Sequence, residues 1–162
     1  MNTNLIKKLC LSGLMIISTL TLSACMSTAK LKPGSAVPVL KENEGYLGFV
    51  INTLDDLQNI QFKNMQTGEE FYVGSAKKGL TQITLVLTEG EYCFVGFDVY
   101  NLRVDYRNKG FCTYLEAGDL NYFAEFMIRD PVSTSIQKFN RYRNLLKKDF
   151  PQFCTEYIGK GC

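Results

Sequence analysis

Six cysteines, a scatter of carboxylates and a complete absence of histidine define the chemistry open to this 162-residue chain. A thiol can carry an acyl group, close a disulfide or hold a metal. Cys25 closes an apolar run at Leu22-Ser23-Ala24-Cys25, while Cys93, Cys112, Cys154 and Cys162 lie far downstream. None of these four has CxxC spacing and there is no imidazole to complete a mixed site, so no metal site is expected. Lacking histidine also removes the general base of Ser-His-Asp and Cys-His catalysis. A glycosidase needs two carboxylates facing one cleft. Glu69, Glu70, Glu89, Glu91, Asp98 and Asp119 supply candidates, yet all fall in or beside predicted turns, where acids normally sit solvated. The expectation is a non-enzymatic protein with no cofactor, and a carboxylate-dependent envelope glycan enzyme is the less favoured alternative.

The elements that position Cys25 are more telling. Lys7 and Lys8 precede an uncharged stretch from Leu9 to Leu22. A basic start followed by about 14 apolar residues reads as a signal peptide, because a bilayer span needs roughly 20. The closing Leu22-Ser23-Ala24-Cys25 resembles the lipobox of bacterial lipoproteins. That resemblance implies cleavage before Cys25, a diacylglycerol on its thiol and an acyl group such as palmitate on the new amino terminus. Membrane lipid is then the first partner, since two or three acyl chains anchor a protein stably. Met26 stands where inner-membrane lipoproteins tend to carry Asp, so the resemblance implies an outer-membrane anchor facing the periplasm.

Cleavage before Cys25 takes 24 residues from 162 and leaves 138, one domain's worth. Without Lys7 and Lys8, 16 basic residues face 16 acidic ones. A neutral domain has no general pull on phosphate backbones, which argues against nucleic acid. Export to an oxidising compartment makes disulfides the expected state of the four remaining cysteines. Three pairings are possible; Cys93 with Cys112 and Cys154 with Cys162 is favoured, the second because a short loop would tie down the C-terminus.

Residues 1–24 are thus a signal peptide and 25–44 a lipidated start followed by a flexible tether, whose 19 residues from Met26 would span roughly 25 Å. Residues 45–162 form the domain. Period-two alternation predicts about seven short strands, through Leu47 to Ile51, Ile60 to Lys63, Phe71 to Val73, Ile83 to Leu87, Tyr92 to Asp98, Phe111 to Leu115 and Leu120 to Ile128. On the fifth strand Cys93, Val95, Phe97 and Val99 form the more apolar side. On the last, Leu120, Tyr122, Ala124, Phe126 and Ile128 point inward, with Asn121, Glu125 and Arg129 outward. The fold class is mainly β, an antiparallel β-sandwich with one C-terminal α-helix. That helix is expected from Asp130-Pro131 to about Pro151, with Val132, Ile136, Phe139, Tyr142, Leu146 and Phe150 on one face.

Residues 60–98, with Asn64-Met-Gln-Thr-Gly68 in one turn and Leu87-Thr-Glu-Gly-Glu-Tyr92 leading into a strand, resemble transthyretin-like and carboxypeptidase-regulatory-like sandwich modules. Glu89 stands where those modules commonly have Pro. The resemblance supports the fold class and transfers no site.

Two surfaces are candidate binding sites. Lys138, Arg141, Arg143, Lys147 and Lys148 form a basic helix face suited to anionic lipid, an acidic protein or polysaccharide; the plainer reading is a solvated outer face. Tyr92, Phe94, Tyr114 and Phe123 would make an aromatic strip for protein or glycan unless another layer covers them. The expected role is a membrane-anchored binding or assembly module with an envelope protein or glycan partner, or an accessory, pilotin-like lipoprotein of a secretion system.

Overall fold

The computed structural model describes residues 29–129, 133–159 and 162. The signal peptide, Cys25 and the Asp130-Pro131 helix start lie outside the described residues. Among the described residues ten strands and two helices follow in order: β1 (Ala29–Lys30), β2 (Glu44–Thr53), β3 (Leu57–Asn64), β4 (Glu70–Ala76), β5 (Gly79–Thr88), β6 (Gly90–Val99), β7 (Leu102–Asp105), β8 (Cys112–Leu115), β9 (Leu120–Ile128), β10 (Ser133–Ile136), α1 (Phe139–Asp149) and α2 (Pro151–Ile158). The seven strands expected from alternation are β2 to β6, β8 and β9; β1, β7 and β10 are additional.

The strands form two sheets. The first has the order β1-β5-β2-β9-β10, antiparallel except where β2 and β9 run parallel, and the second has β4-β3-β6-β7 with β8 also on β6. Between them lies a core that includes Leu47, Phe49, Ile51, Phe62, Phe94 and Phe126. Phe94 and Phe126 stack with ring centroids 4.5 Å apart, which welds the two layers. A second core lies on the far side of the first sheet, where Tyr46, Val50 and Val86 meet Tyr142, Leu146 and Phe153 from the helices. β2 is therefore buried on both faces, as a central strand in a three-layer arrangement must be.

Two bulges redirect side chains that strict alternation misplaces. In β9 the register against β2 shifts between Gly48 and Val50, so Phe123 and Ala124 both enter the inter-sheet core. Leu120 and Tyr122 consequently face the helices, not the inner core. The register of β6 against β3 shifts between Phe94 and Gly96, so Tyr92, Phe94 and Phe97 all point inward while Cys93 leaves the core side. Tyr92, Phe94 and Phe123 are thus buried, and of the proposed aromatic strip only Tyr114 is exposed.

The C-terminal region differs from the single expected helix. Ser133–Ile136 pairs with β9 as a strand, so Ile136 lies outside the helical face and α1 begins at Phe139. Phe150 ends α1 and caps α2, whose first residue is Pro151, a position where the missing N–H costs nothing. Both favoured disulfides are present: Cys93–Cys112 joins facing residues of β6 and β8, and Cys154–Cys162 fastens the C-terminus to α2.

The expected tether also differs from Ala29 onward. β1 pairs with β5, Leu31 is buried, and Val37 and Leu40 pack on the second core. Tyr46, whose ring sits 4.7 Å from both Phe153 and Tyr157, donates its hydroxyl to the Pro38 carbonyl. Residues 29–44 and the helices together seal a face of β2 and β5 too apolar to be left wet.

Candidate functional site

At one end of the sandwich the sheets part. The turns joining β2 to β3 and β6 to β7 flank a cleft of about 180 Å³ between Leu57, Phe97 and Val99 on one side and Ile128 on the other. Leu102 and Val104 of β7 form its outer wall. For comparison, an apolar cavity of roughly 150 Å³ accommodates benzene. Exposed apolar side chains surround this mouth: Leu54, Tyr100 and Leu102 are 48%, 76% and 67% accessible. Tyr100 and Leu102 line the cleft itself, and Leu54 lies in the same β2–β3 turn as the lining residue Asp55.

The mouth is braced. Tyr100 adopts φ +53°, an unfavourable backbone for a bulky non-glycine residue, and its hydroxyl donates to Asp55 Oδ1 at 2.6 Å. That bond ties the β6–β7 turn to the β2–β3 turn, and the Asp55 carboxylate raises the Tyr100 phenol above its ordinary value. Asp55 is itself held by Thr53, whose hydroxyl donates to the Asp55 carbonyl and accepts the Asp55 N–H. Lys77 pairs with Asp56 at 2.7 Å, and the Lys78 N–H donates to the same carboxylate, fixing the β4–β5 turn beside them.

Arg129 lines the mouth at the end of β9 and donates to Asn52 Oδ1 at 3.4 Å. Asn52 Nδ2 in turn donates to Glu125 Oε1 at 2.9 Å, and Arg141 of α1 reaches the same oxygen at 2.6 Å. Glu125 is fully buried, and its Oε2 has no hydrogen-bond partner among the described residues. Sequence alternation correctly turned Glu125 away from the inter-sheet core; α1 then covers the face it points to.

The basic residues do not make one surface. Arg141 turns inward to Glu125, Arg143 is half-buried with its carbonyl near Cys154 Sγ, and Lys138 precedes the first turn of α1. Lys147 and Lys148 are exposed in the last turn, where cations complement the helix dipole. Of the six acids first considered, Glu69, Glu89, Glu91 and Asp119 are exposed, whereas Glu70 pairs with Arg107 and Asp98 with Arg103. None of the six lines the mouth. Among the described residues no group of three metal-ligating side chains comes together, and no helix is long and apolar enough to cross a membrane.

The mouth itself was not anticipated. The signal available was Val99-Tyr100-Asn101-Leu102, a turn with apolar residues where polar ones are usual. Compared with known proteins, this chain matches no family model, no curated protein and no solved structure.

Proposed function

We propose that this protein is an envelope lipoprotein, anchored through acylated Cys25 in the outer membrane and facing the periplasm, whose β-sandwich is a non-enzymatic binding module. The observation that carries the reading is the placement of the mouth relative to the anchor. β1 begins four residues after Cys25, so the acylated residue lies within about 14 Å of Ala29 along even a fully extended chain. Ala29 is level with Val86 and Tyr46, and the Leu31 N–H donates to the Thr84 carbonyl two residues further along, level with Gly48, so the chain enters from the Glu44 end of the sandwich. The mouth is at the Thr53 end of the same strand. Seven residues at about 3.3 Å each put some 23 Å between the two levels. A domain tethered so closely at one end offers the other to whatever lies beyond the headgroups.

Two measurements test this. The mass of the mature amino terminus is expected to correspond to acylated Cys25, and an unmodified chain still beginning at Met1 overturns the anchor. With the lipidated protein on vesicles carrying headgroup quenchers, a fluorophore at Asp119 is expected to be quenched more strongly than one at Leu102. The reverse order overturns the orientation.

A further inference from the structure

We propose that the mouth and the free edge of β7 form one peptide-binding site: an extended segment of a partner protein adds to β7 as a strand and plants a single aromatic or branched aliphatic side chain in the cleft. This rests on the binding-module reading and names what that module grips.

β7 is bonded on one side only. Tyr106 N–H donates to Val95 O at 2.6 Å, which identifies Tyr106 and Val95 as a hydrogen-bonded pair of the antiparallel ladder. Such pairs alternate, so Val104 with Phe97 and Leu102 with Val99 are bonded likewise, while Arg103 and Asp105 turn their N–H and C=O groups away from β6. Among the described residues no strand lies on that side. Two donors and two acceptors are therefore available to an incoming strand, the mode in which main-chain bonds supply affinity and side-chain pockets supply specificity.

The side-chain parity fits. Residues paired across a ladder point to the same face, and Leu102 and Val104 of β7 line the cleft. A partner residue beside either one thus points toward the same opening. The cleft volume suits one ring or one branched aliphatic group, and the exposed Tyr100 and Leu102 among its lining residues can exclude water around it. Arg103 and Arg107 alternate with Asp98, Asp105 and Glu70 on the outer side of this edge, so the surface carries no dominant sign and favours no strongly charged segment. The bilayer that holds Cys25 is not the occupant, because the chain leaves the sandwich at the opposite end.

The test uses the mature chain purified in detergent micelles and three defined probes observed by amide NMR: acetyl-Lys-Thr-Phe-Thr-Lys-amide, its Phe-to-Ser counterpart, and the Phe peptide with its threonine nitrogens methylated. The Phe peptide is expected to shift the Arg103 and Asp105 amides saturably and to slow their exchange. The Ser peptide is expected to bind at least about tenfold more weakly, the cost of losing a buried ring. The methylated peptide is expected to lose the effect on Arg103 and Asp105. Equal binding by the methylated and unmethylated peptides overturns strand addition; equal binding by the Phe and Ser peptides overturns the socket. Saturable shifts confined to another edge, such as β4, or no saturable shift, overturn both. Val99→Phe is expected to fill the cleft and abolish binding, with Leu102→Trp as the second variant should the first fail to fold. The amino-terminal mass is read on the same sample, so failure of the anchor is distinguished from failure of the site.

Discussion

Tyr46, Val50 and Val86 on the outer face of the first sheet are buried under α1, α2 and the N-terminal segment. The outer face of the second sheet instead carries Glu70, Asp98, Arg103, Asp105 and Arg107 in a polar lattice over the buried Gln61. Arg103 reaches Asp98 at 3.0 Å and also Gln61, and Arg107 reaches Glu70 at 2.9 Å and also Asp105. The difference is one of side chains on the same backbone geometry. An apolar outer face must be covered, which recruits two helices and sixteen residues of N-terminal chain as a third layer. A polar one satisfies itself and leaves its edge strands accessible. The first sheet is thus packed on both faces, whereas the second is packed on its inner face and polar on its outer one.

The sharpest way to break that contrast is to remove the ring that docks the cover. Tyr142 is fully buried, its hydroxyl is 2.7 Å from Thr84 Oγ1, and it fills a notch that exists only because residue 48 is glycine. A Cβ on Gly48 would stand 2.0 Å from that hydroxyl. Tyr142→Ala is expected to cost about 3–5 kcal/mol in urea unfolding, in the range for deleting a buried aromatic ring. A loss below about 1 kcal/mol would mean that the helices rest on the sheet without sealing it. The disulfides come next. In the loop-entropy account, Cys112→Ala lowers stability by about 3 kcal/mol for its 19-residue separation, and Cys162→Ala by about 2.5 kcal/mol for its 8. Both are measured by the same unfolding curve.

Arg141→Ala sharpens the comparison from inside the cover. It leaves the buried Glu125 carboxylate with Asn52 alone. Breaking a buried pair costs more than the pair was worth, but Arg141 is itself partly exposed, so the expected loss is about 2 kcal/mol. Adding Glu125→Leu removes the orphaned charge and is expected to recover most of it, which a double-mutant cycle measures.

What the sequence makes legible follows from this layering. Period-two runs locate seven of the ten described strands because most of these carry a continuous apolar face. They misplace faces at the bulges, since one extra residue in β6 or β9 inverts parity from that point on. Gly96 marked the first of these: a Cβ there would meet the Val104 carbonyl at 2.1 Å, and an isolated glycine within a strand is the available sign of such an approach. Residues 29–44 read as tether because Pro33, Gly34 and Pro38 suppress periodicity. Their burial comes instead from single side chains, Leu31, Val37 and Leu40, at irregular spacing. The mouth was hidden for a related reason. It is assembled from the ends of β2, β3, β6, β7 and β9, and no local spacing encodes where strand ends meet. Both disulfides, by contrast, were legible, because each joins cysteines whose separation suits a local closure.

The smallest effect expected lies on the open face, and its pH dependence has a definite sign. The Asp98 carboxyl is held below its ordinary value by hydrogen bonds from Asn59 and Arg103, Glu70 chiefly by Arg107, and Asp105 chiefly by the Arg107 backbone N–H. A carboxyl whose folded value is depressed contributes stability above its unfolded value, near pH 4, and loses it as pH falls through the folded value. The melting temperature of the wild-type protein is therefore expected to fall between about pH 5 and pH 3. Arg107→Ala is expected to remove part of that slope while barely moving the melting temperature at pH 7, because exposed pairs are weak and screened. Repeating the acid titration at 1 M salt should flatten both curves toward each other. A slope unchanged by salt and by Arg107→Ala would show that the acid sensitivity does not arise from this open-face network of Arg107, Glu70 and Asp105.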